Sequence, residues 1–180
     1  MKVVCVKNLQ IDRTWTLFLD RDGVINVKRE NDYIKKWSEF KFINGALDAL
    51  SILSKKFQTI IVVTNQRGVG KNLMYESDLN HIHKLMLREV DKNFGRIDKI
   101  YYSIDLNESA FSRKPNPGMA YLAKSEFPLI DFNKSVMVGD SDSDILFGMN
   151  LGMKCFLISE KDNTSEDNVF KSLYEFSINV

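Results

Sequence analysis

One stretch constrains the architecture more than any other: Leu17-Phe18-Leu19-Asp20-Arg21-Asp22-Gly23-Val24. Apolar residues run directly into two acids spaced two apart, and a glycine follows. An unbroken apolar run suits a strand covered on both faces, as in a parallel sheet between helices. In open α/β sheets, ligands bind in the crevice at the carboxyl ends of the strands. Asp20 and Asp22 therefore project toward one site, and Gly23 lets the chain turn where a Cβ would obstruct it. Carboxylates roughly 4 Å apart at an effective dielectric of about 20 repel by on the order of 4 kcal/mol. A shared proton, a lysine or a hard cation has to offset that. Taken alone, the stretch reads equally well as an ordinary acidic loop after a strand.

The rest of the chain repeats the theme of strand followed by helix. Lys2 to Val6 suits a short edge strand, and Thr16 to Leu19 the first buried one. Asn26 to Lys41 is polar and aromatic and reads as loop. Asn44 is placed to cap a helix with Ala46, Leu47, Ala49, Leu50 and Leu53 on one side. Thr59 to Thr64 is a β-branched strand. A helix from about Glu76 to Phe94 carries Leu79, Ile82, Leu85, Met86 and Val90 on one face, with Gly95 as its terminator. Lys99 to Ser103, Ser135 to Val138 and Lys154 to Ile158 are further strands. Pro117 opens a helix where proline is tolerated. A short helix runs to Leu151 and stops at Gly152, and a weak one covers Val169 to Phe176. Alternating strands and helices imply right-handed crossovers and a mainly parallel sheet. The expected fold class is a three-layer α/β/α sandwich, organised as one domain over residues 1–180.

Composition narrows the partners. Lys and Arg number 25 against 24 Asp and Glu, a net charge of +1. That balance gives no basic face for nucleic acid. The N-terminus does not read as a signal peptide, and no apolar run approaches the roughly 18 residues of a membrane span. A soluble cytoplasmic protein is expected, as a monomer or weak homodimer. Cys5 and Cys155 belong to no C-x-x-C pair and read as reduced structural thiols. His81 and His83 stand two apart on a predicted helix, point to different sides of it, and read as surface or partly packed residues.

Polar motifs follow the strands. Thr64-Asn65-Gln66-Arg67-Gly68-Val69-Gly70 offers a hydroxyl, amides and accessible backbone N–H groups, all suited to a phosphate. The P-loop spacing is absent. Arg113-Lys114-Pro115 puts a planar fork and a compact charge ahead of a helix, both suited to phosphoryl oxygens. Gly139-Asp140-Ser141-Asp142-Ser143-Asp144 supplies acids that either cap a helix or complete an oxygen-ligand cation site. For Asp142 the capping or solvated role is favoured. Each motif alone also reads as an ordinary turn.

Together and in this order, LFLDRDGVI, VVTNQRGVG, RKPNPGM and VGDSDSDI resemble the haloacid dehalogenase (HAD) superfamily over nearly the whole chain. The resemblance is to the branch of small phosphatases that includes D-glycero-D-manno-heptose 1,7-bisphosphate 7-phosphatase and histidinol-phosphatase. It implies a magnesium-dependent phosphomonoesterase working through an aspartyl-phosphate, with a heptose bisphosphate or another small phosphorylated metabolite as substrate. It implies Asp20 as nucleophile and Asp22 as acid and base. Thr64 and Lys114 would hold the phosphoryl group, with Asn65, Gln66 and Arg113 as substrate contacts. Mg²⁺ would be held by Asp20, Asp22 through its carbonyl, and Asp140, with Asp144 in support. In that branch the loop before R-K-P typically carries a zinc site. Residues 101–112 contain neither cysteine nor histidine, so zinc is expected to be absent. Residues 26–44 are too few for a large cap domain. The site should be covered at most by the loop Val27 to Phe40. Tyr33, Trp37 and Phe40 of that loop are candidate substrate contacts, although core packing is favoured for each.

Overall fold

The structure is a computed structural model and describes residues 10–160 and 168–180. The strands are β1 (Thr16–Leu19), β2 (Thr59–Asn65), β3 (Lys99–Ser103), β4 (Ser135–Gly139), β5 (Lys154–Ile158) and β6 (Val169–Phe170). They form one sheet in the order β3-β2-β1-β4-β5-β6, and every pairing is parallel. The helices are α1 (Ala46–Lys56), a single turn α2 (Arg67–Gly70), α3 (Glu76–Lys92), α4 (Gly118–Glu126), α5 (Asp142–Asn150) and α6 (Leu173–Asn179).

Side-chain alternation along the strands builds a core on each face. Leu17, Leu19, Ile60, Val62, Val136 and Val138 face one way and pack with α1, α3 and α6 through Leu50, Ile82, Met86 and Phe176. Phe18, Ile61, Val63 and Met137 face the other way and meet Met119 and Ala123 of α4 and Phe147 of α5. Leu17 is in register with Ile60 and with Val136, so neighbouring strands present the same face together. This is the expected three-layer sandwich. From β1 the chain winds outward to β2 and β3, then returns to β4 on the other side. The switch between β1 and β4 opens a crevice at their carboxyl ends. Only a loop, one 3₁₀ turn (Trp37–Glu39) and α1 separate β1 from β2, so no large cap covers that crevice.

The structure corrects several local expectations. Gly45, with φ of 78°, takes the cap position of α1 in place of Asn44. Phe94, at φ 61°, is the left-handed residue after α3, a role expected of Gly95. Pro117 caps α4, which begins at Gly118. Val169 and Phe170 form β6 instead of a helical turn, and Ser172 caps α6 by accepting from the Glu175 N–H at 3.1 Å. The helical spacing seen there has a source: Phe170 still packs on Phe156 and Phe176. Cys155 is half-buried, and burial pushes its thiol up to about 11. Cys5 and the expected strand Lys2 to Val6 lie outside the described residues. No helix among the described residues is long and apolar enough to cross a membrane.

Candidate active site

The four motifs converge at the switch point. β1 ends by delivering Asp20, whose N–H donates to the Val138 carbonyl at 2.9 Å, so the β1–β4 ladder continues into the site. The chain then folds back at Gly23. Its φ is 89°, and a Cβ there would lie 2.2 Å from Asp140 Oδ2. A side chain would therefore strain the turn and also occupy the space of a carboxylate. β2 delivers Thr64, 1% exposed, and β4 delivers Asp140. α5 begins just beyond, and Asp144 Oδ2 accepts from the N–H and hydroxyl of Ser141 at 3.1 and 2.6 Å. That contact fixes the first turn of α5 and leaves Oδ1 of Asp144 to face the site. Asp142 is exposed on the same turn and lies outside the cluster.

Lys114 joins these parts. Its ammonium group, 3% exposed, donates to Asp20 Oδ1 at 2.7 Å, Asp144 Oδ1 at 2.5 Å and the Val63 carbonyl at 2.6 Å. All three of its protons are used. Burial disfavours its charge, but Asp144 and Asp20 outweigh that and hold it above the ordinary lysine value. Asp20 is pushed up to about 7, chiefly by burial and further by Asp144 and Asp22, with Lys114 opposing. Asp140 is raised by burial, against the pull of Lys28, whose Nζ reaches Asp140 Oδ2 at 2.7 Å. One oxygen each from Asp20, Asp140 and Asp144 lie within 4.8 Å of one another. An all-oxygen, carboxylate-rich donor set matches a hard divalent cation, whose charge would favour the ionised form of these acids.

Asp22 is placed differently from the other acids. Its carboxylate borders the cleft and accepts four hydrogen bonds. Arg21 Nη2 donates to both oxygens at 2.9 and 2.8 Å, Asn26 Nδ2 to one at 2.9 Å and Gln66 Nε2 to the other at 2.8 Å. Burial opposes its charge, yet Arg21 and these donors hold its pKa below the usual carboxylate value. Arg21, one of the largest fully buried side chains, was not singled out by the sequence motifs. Its Nη1 meets Nε2 of His83 at 3.0 Å. His83 is therefore buried, not a surface residue, while His81 is exposed.

The expected substrate contacts separate into distinct roles. The cleft is about 180 Å³ and is lined by Thr64, Asn65, Gln66 and the acids, with Lys28, Arg29 and Tyr33 along its rim. This is smaller than the roughly 300–1,000 Å³ of pockets that enclose a whole small molecule. Asn65 spends its amide on the backbone of Lys114, donating to the carbonyl and accepting from the N–H, both at 3.1 Å. Gln66 donates to Thr64 Oγ1 at 3.0 Å as well as to Asp22. Arg113 does not line the cleft. Its Nη1 donates to the Asp105 carbonyl at 3.3 Å, and burial and nearby Arg67 depress its pKa. Tyr33 borders the site, whereas Trp37 and Phe40 stack on each other at 4.9 Å and pack against the core.

Residues 111–175 match the HAD-hydrolase-like family model. The chain is 34% identical to the D-glycero-alpha-D-manno-heptose-1,7-bisphosphate 7-phosphatase of Campylobacter jejuni, over 91% of this chain and 94% of that protein. It is equally 34% identical to the D-glycero-beta-D-manno-heptose-1,7-bisphosphate 7-phosphatase of Salmonella typhi, over 83% and 84%. The D,D-heptose 1,7-bisphosphate phosphatase of B. bronchiseptica, solved with magnesium and phosphate, superposes with a TM-score of 0.80 at 25% identity, covering 91% and 96% of the two chains. Matches at this identity, spanning nearly the full length of both partners, place the chain in the HAD-like phosphatases, in the family of the heptose-1,7-bisphosphate 7-phosphatases.

Proposed function

We propose that this phosphatase removes the 7-phosphate of D-glycero-D-manno-heptose 1,7-bisphosphate by transferring it first to Asp20. One observation carries the catalytic reading: Lys114 ties Asp20 to Asp144 from beneath, within a carboxylate cluster at the mouth of the sheet. Lys114 occupies one oxygen of Asp20 and leaves the other for attack on phosphorus. Thr64 accepts from Gln66, so its own hydroxyl proton is available to a phosphoryl oxygen. As the bond from Asp20 oxygen to phosphorus forms, the bond from phosphorus to the sugar oxygen breaks, and Asp22 gives that oxygen a proton. Water then attacks the aspartyl-phosphate, Asp22 takes its proton, and phosphate leaves with Asp20 restored. The four donors on Asp22 ready it for the second step; the first requires a proton on it. The side chains of Asp20 and Asp140 and the Asp22 carbonyl would hold Mg²⁺, which supplies charge stabilisation for the transferring phosphoryl group. Zinc plays no part in this reading.

The small cleft leaves most of a bisphosphate against the rim, where Tyr33 and Arg29 lie and Arg113 and Arg67 stand close by. The relatives' names divide between the alpha and beta anomers at equal identity, so both anomers belong in the test. Phosphate release should be measured on both heptose bisphosphates, histidinol phosphate and an aryl phosphate, with Mg²⁺ and with chelator. A heptose bisphosphate should give the highest kcat/KM, with turnover lost in chelator and in Asp20→Asn. Preference for histidinol phosphate would refute the substrate. Wild-type turnover by Asp20→Asn would refute the nucleophile.

A further inference from the structure

We propose that His83, on α3 behind the active-site loop, is a positioning residue for Asp22 and acts through the guanidinium of Arg21. The inference rests on the proposed role of Asp22. Just past the end of β1, Asp20 and Asp22 line the cleft, while the buried guanidinium of Arg21 reaches back to His83 on α3. Arg21 is 1% exposed and His83 5%, so neither has free access to water. An arginine side chain only donates hydrogen bonds. The 3.0 Å contact from Nη1 of Arg21 therefore requires Nε2 of His83 to be an unprotonated acceptor, with the ring proton on Nδ1. The guanidinium is planar, and anchoring Nη1 fixes where Nη2 points. Nη2 is the atom that donates to both oxygens of Asp22, at 2.9 and 2.8 Å. Nε of Arg21 has no hydrogen-bond partner, so His83 supplies the anchor that Asp22 itself does not. The chain of contacts runs from α3 to the acid that must face the leaving oxygen and then the attacking water.

The test compares His83→Leu, which removes the acceptor, with His83→Gln, whose amide oxygen retains one. Loss of an outer-shell orienting group typically costs about 10–100-fold in activity. His83→Leu should lower kcat by that factor with KM little changed, and His83→Gln should recover most of it. In an Arg21→Met background, adding His83→Leu should reduce kcat no further. Nitrogen-15 NMR of the wild-type protein at neutral pH should show the Nδ1–H tautomer, a readout that needs no variant to fold. The proposal is overturned if His83→Leu keeps wild-type kcat, if its loss multiplies with that of Arg21→Met, or if the proton is on Nε2. Should Asp22→Asn itself prove as active as wild type, the underlying reading of Asp22 fails instead.

Discussion

Replacing Lys114 with methionine keeps most of the length of the side chain and removes the cation between two buried carboxylates. At 2.7 and 2.5 Å, with an effective dielectric of about 20, each ion pair is worth on the order of 6 kcal/mol before desolvation is counted. Desolvation offsets most of that, so the net worth of the pairs is small. Removing one partner is different, because the remaining charges stay buried without compensation, at a cost of about 3–5 kcal/mol. Oxygens of Asp20 and Asp144 lie within 4.8 Å, where two negative charges repel by about 3 kcal/mol at the same dielectric. At about 1.36 kcal/mol per pKa unit, that repulsion alone raises one acid by about two units in the variant. An acid whose folded pKa is raised destabilises the fold above that pKa and is relieved as pH falls through it. The deficit of Lys114→Met in chelator should therefore be about 3–5 kcal/mol near pH 8 and clearly smaller near pH 5.5. Urea denaturation at the two pH values measures it. A deficit under about 1 kcal/mol, or one that ignores pH, would refute the reasoning. Activity with Mg²⁺ should fall by at least about 10²-fold, since a preorganised donor to the phosphoryl group is gone.

Two further outcomes follow from the same cluster. Mg²⁺ at about 100 times its dissociation constant should stabilise the wild-type fold by about 2.7 kcal/mol. The gain in melting temperature should be larger near pH 8 than near pH 5.5. Burial and nearby acids place Asp20 at about 7, so at lower pH the cation must displace a proton; equal gains at both pH values would contradict this. Gly23→Ala, whose Cβ would fall 2.2 Å from Asp140 Oδ2 at a φ of 89°, should weaken Mg²⁺ binding measured by calorimetry. Unchanged affinity would separate Asp140 from the cation site.

Much of the site was legible because its chemistry sits in short motifs behind apolar strands. Leu17 to Asp22, Val62 to Gln66 and Val136 to Asp140 each show an apolar run handing over to polar residues, and parallel pairing brings those handovers to one edge. Lys114 was legible as a cation before a helix, though its burial between Asp20 and Asp144 depends on Asn65 gripping its backbone. The arginine between the two acids was not legible. A charged residue in a polar loop gives no local sign that it is 1% exposed. His83 was hidden for the same reason: its burial comes from α3 packing over the β1 loop, while His81 two residues away stays in solvent. Asn65 and Gln66 read as substrate contacts by type, but their amides are committed to Lys114, Thr64 and Asp22. Lys28 lies 112 residues from Asp140, a pairing that no local pattern announces.

The aspartyl-phosphate is the claim on which the account turns, and rapid acid quench during turnover tests it directly. Peptide mapping by mass spectrometry should place a phosphoryl group on the peptide containing Asp20 in the wild-type enzyme with Mg²⁺ and substrate, and none in Asp20→Asn. A phosphoryl group on any other residue, or an active enzyme that never carries one on Asp20, would contradict the account.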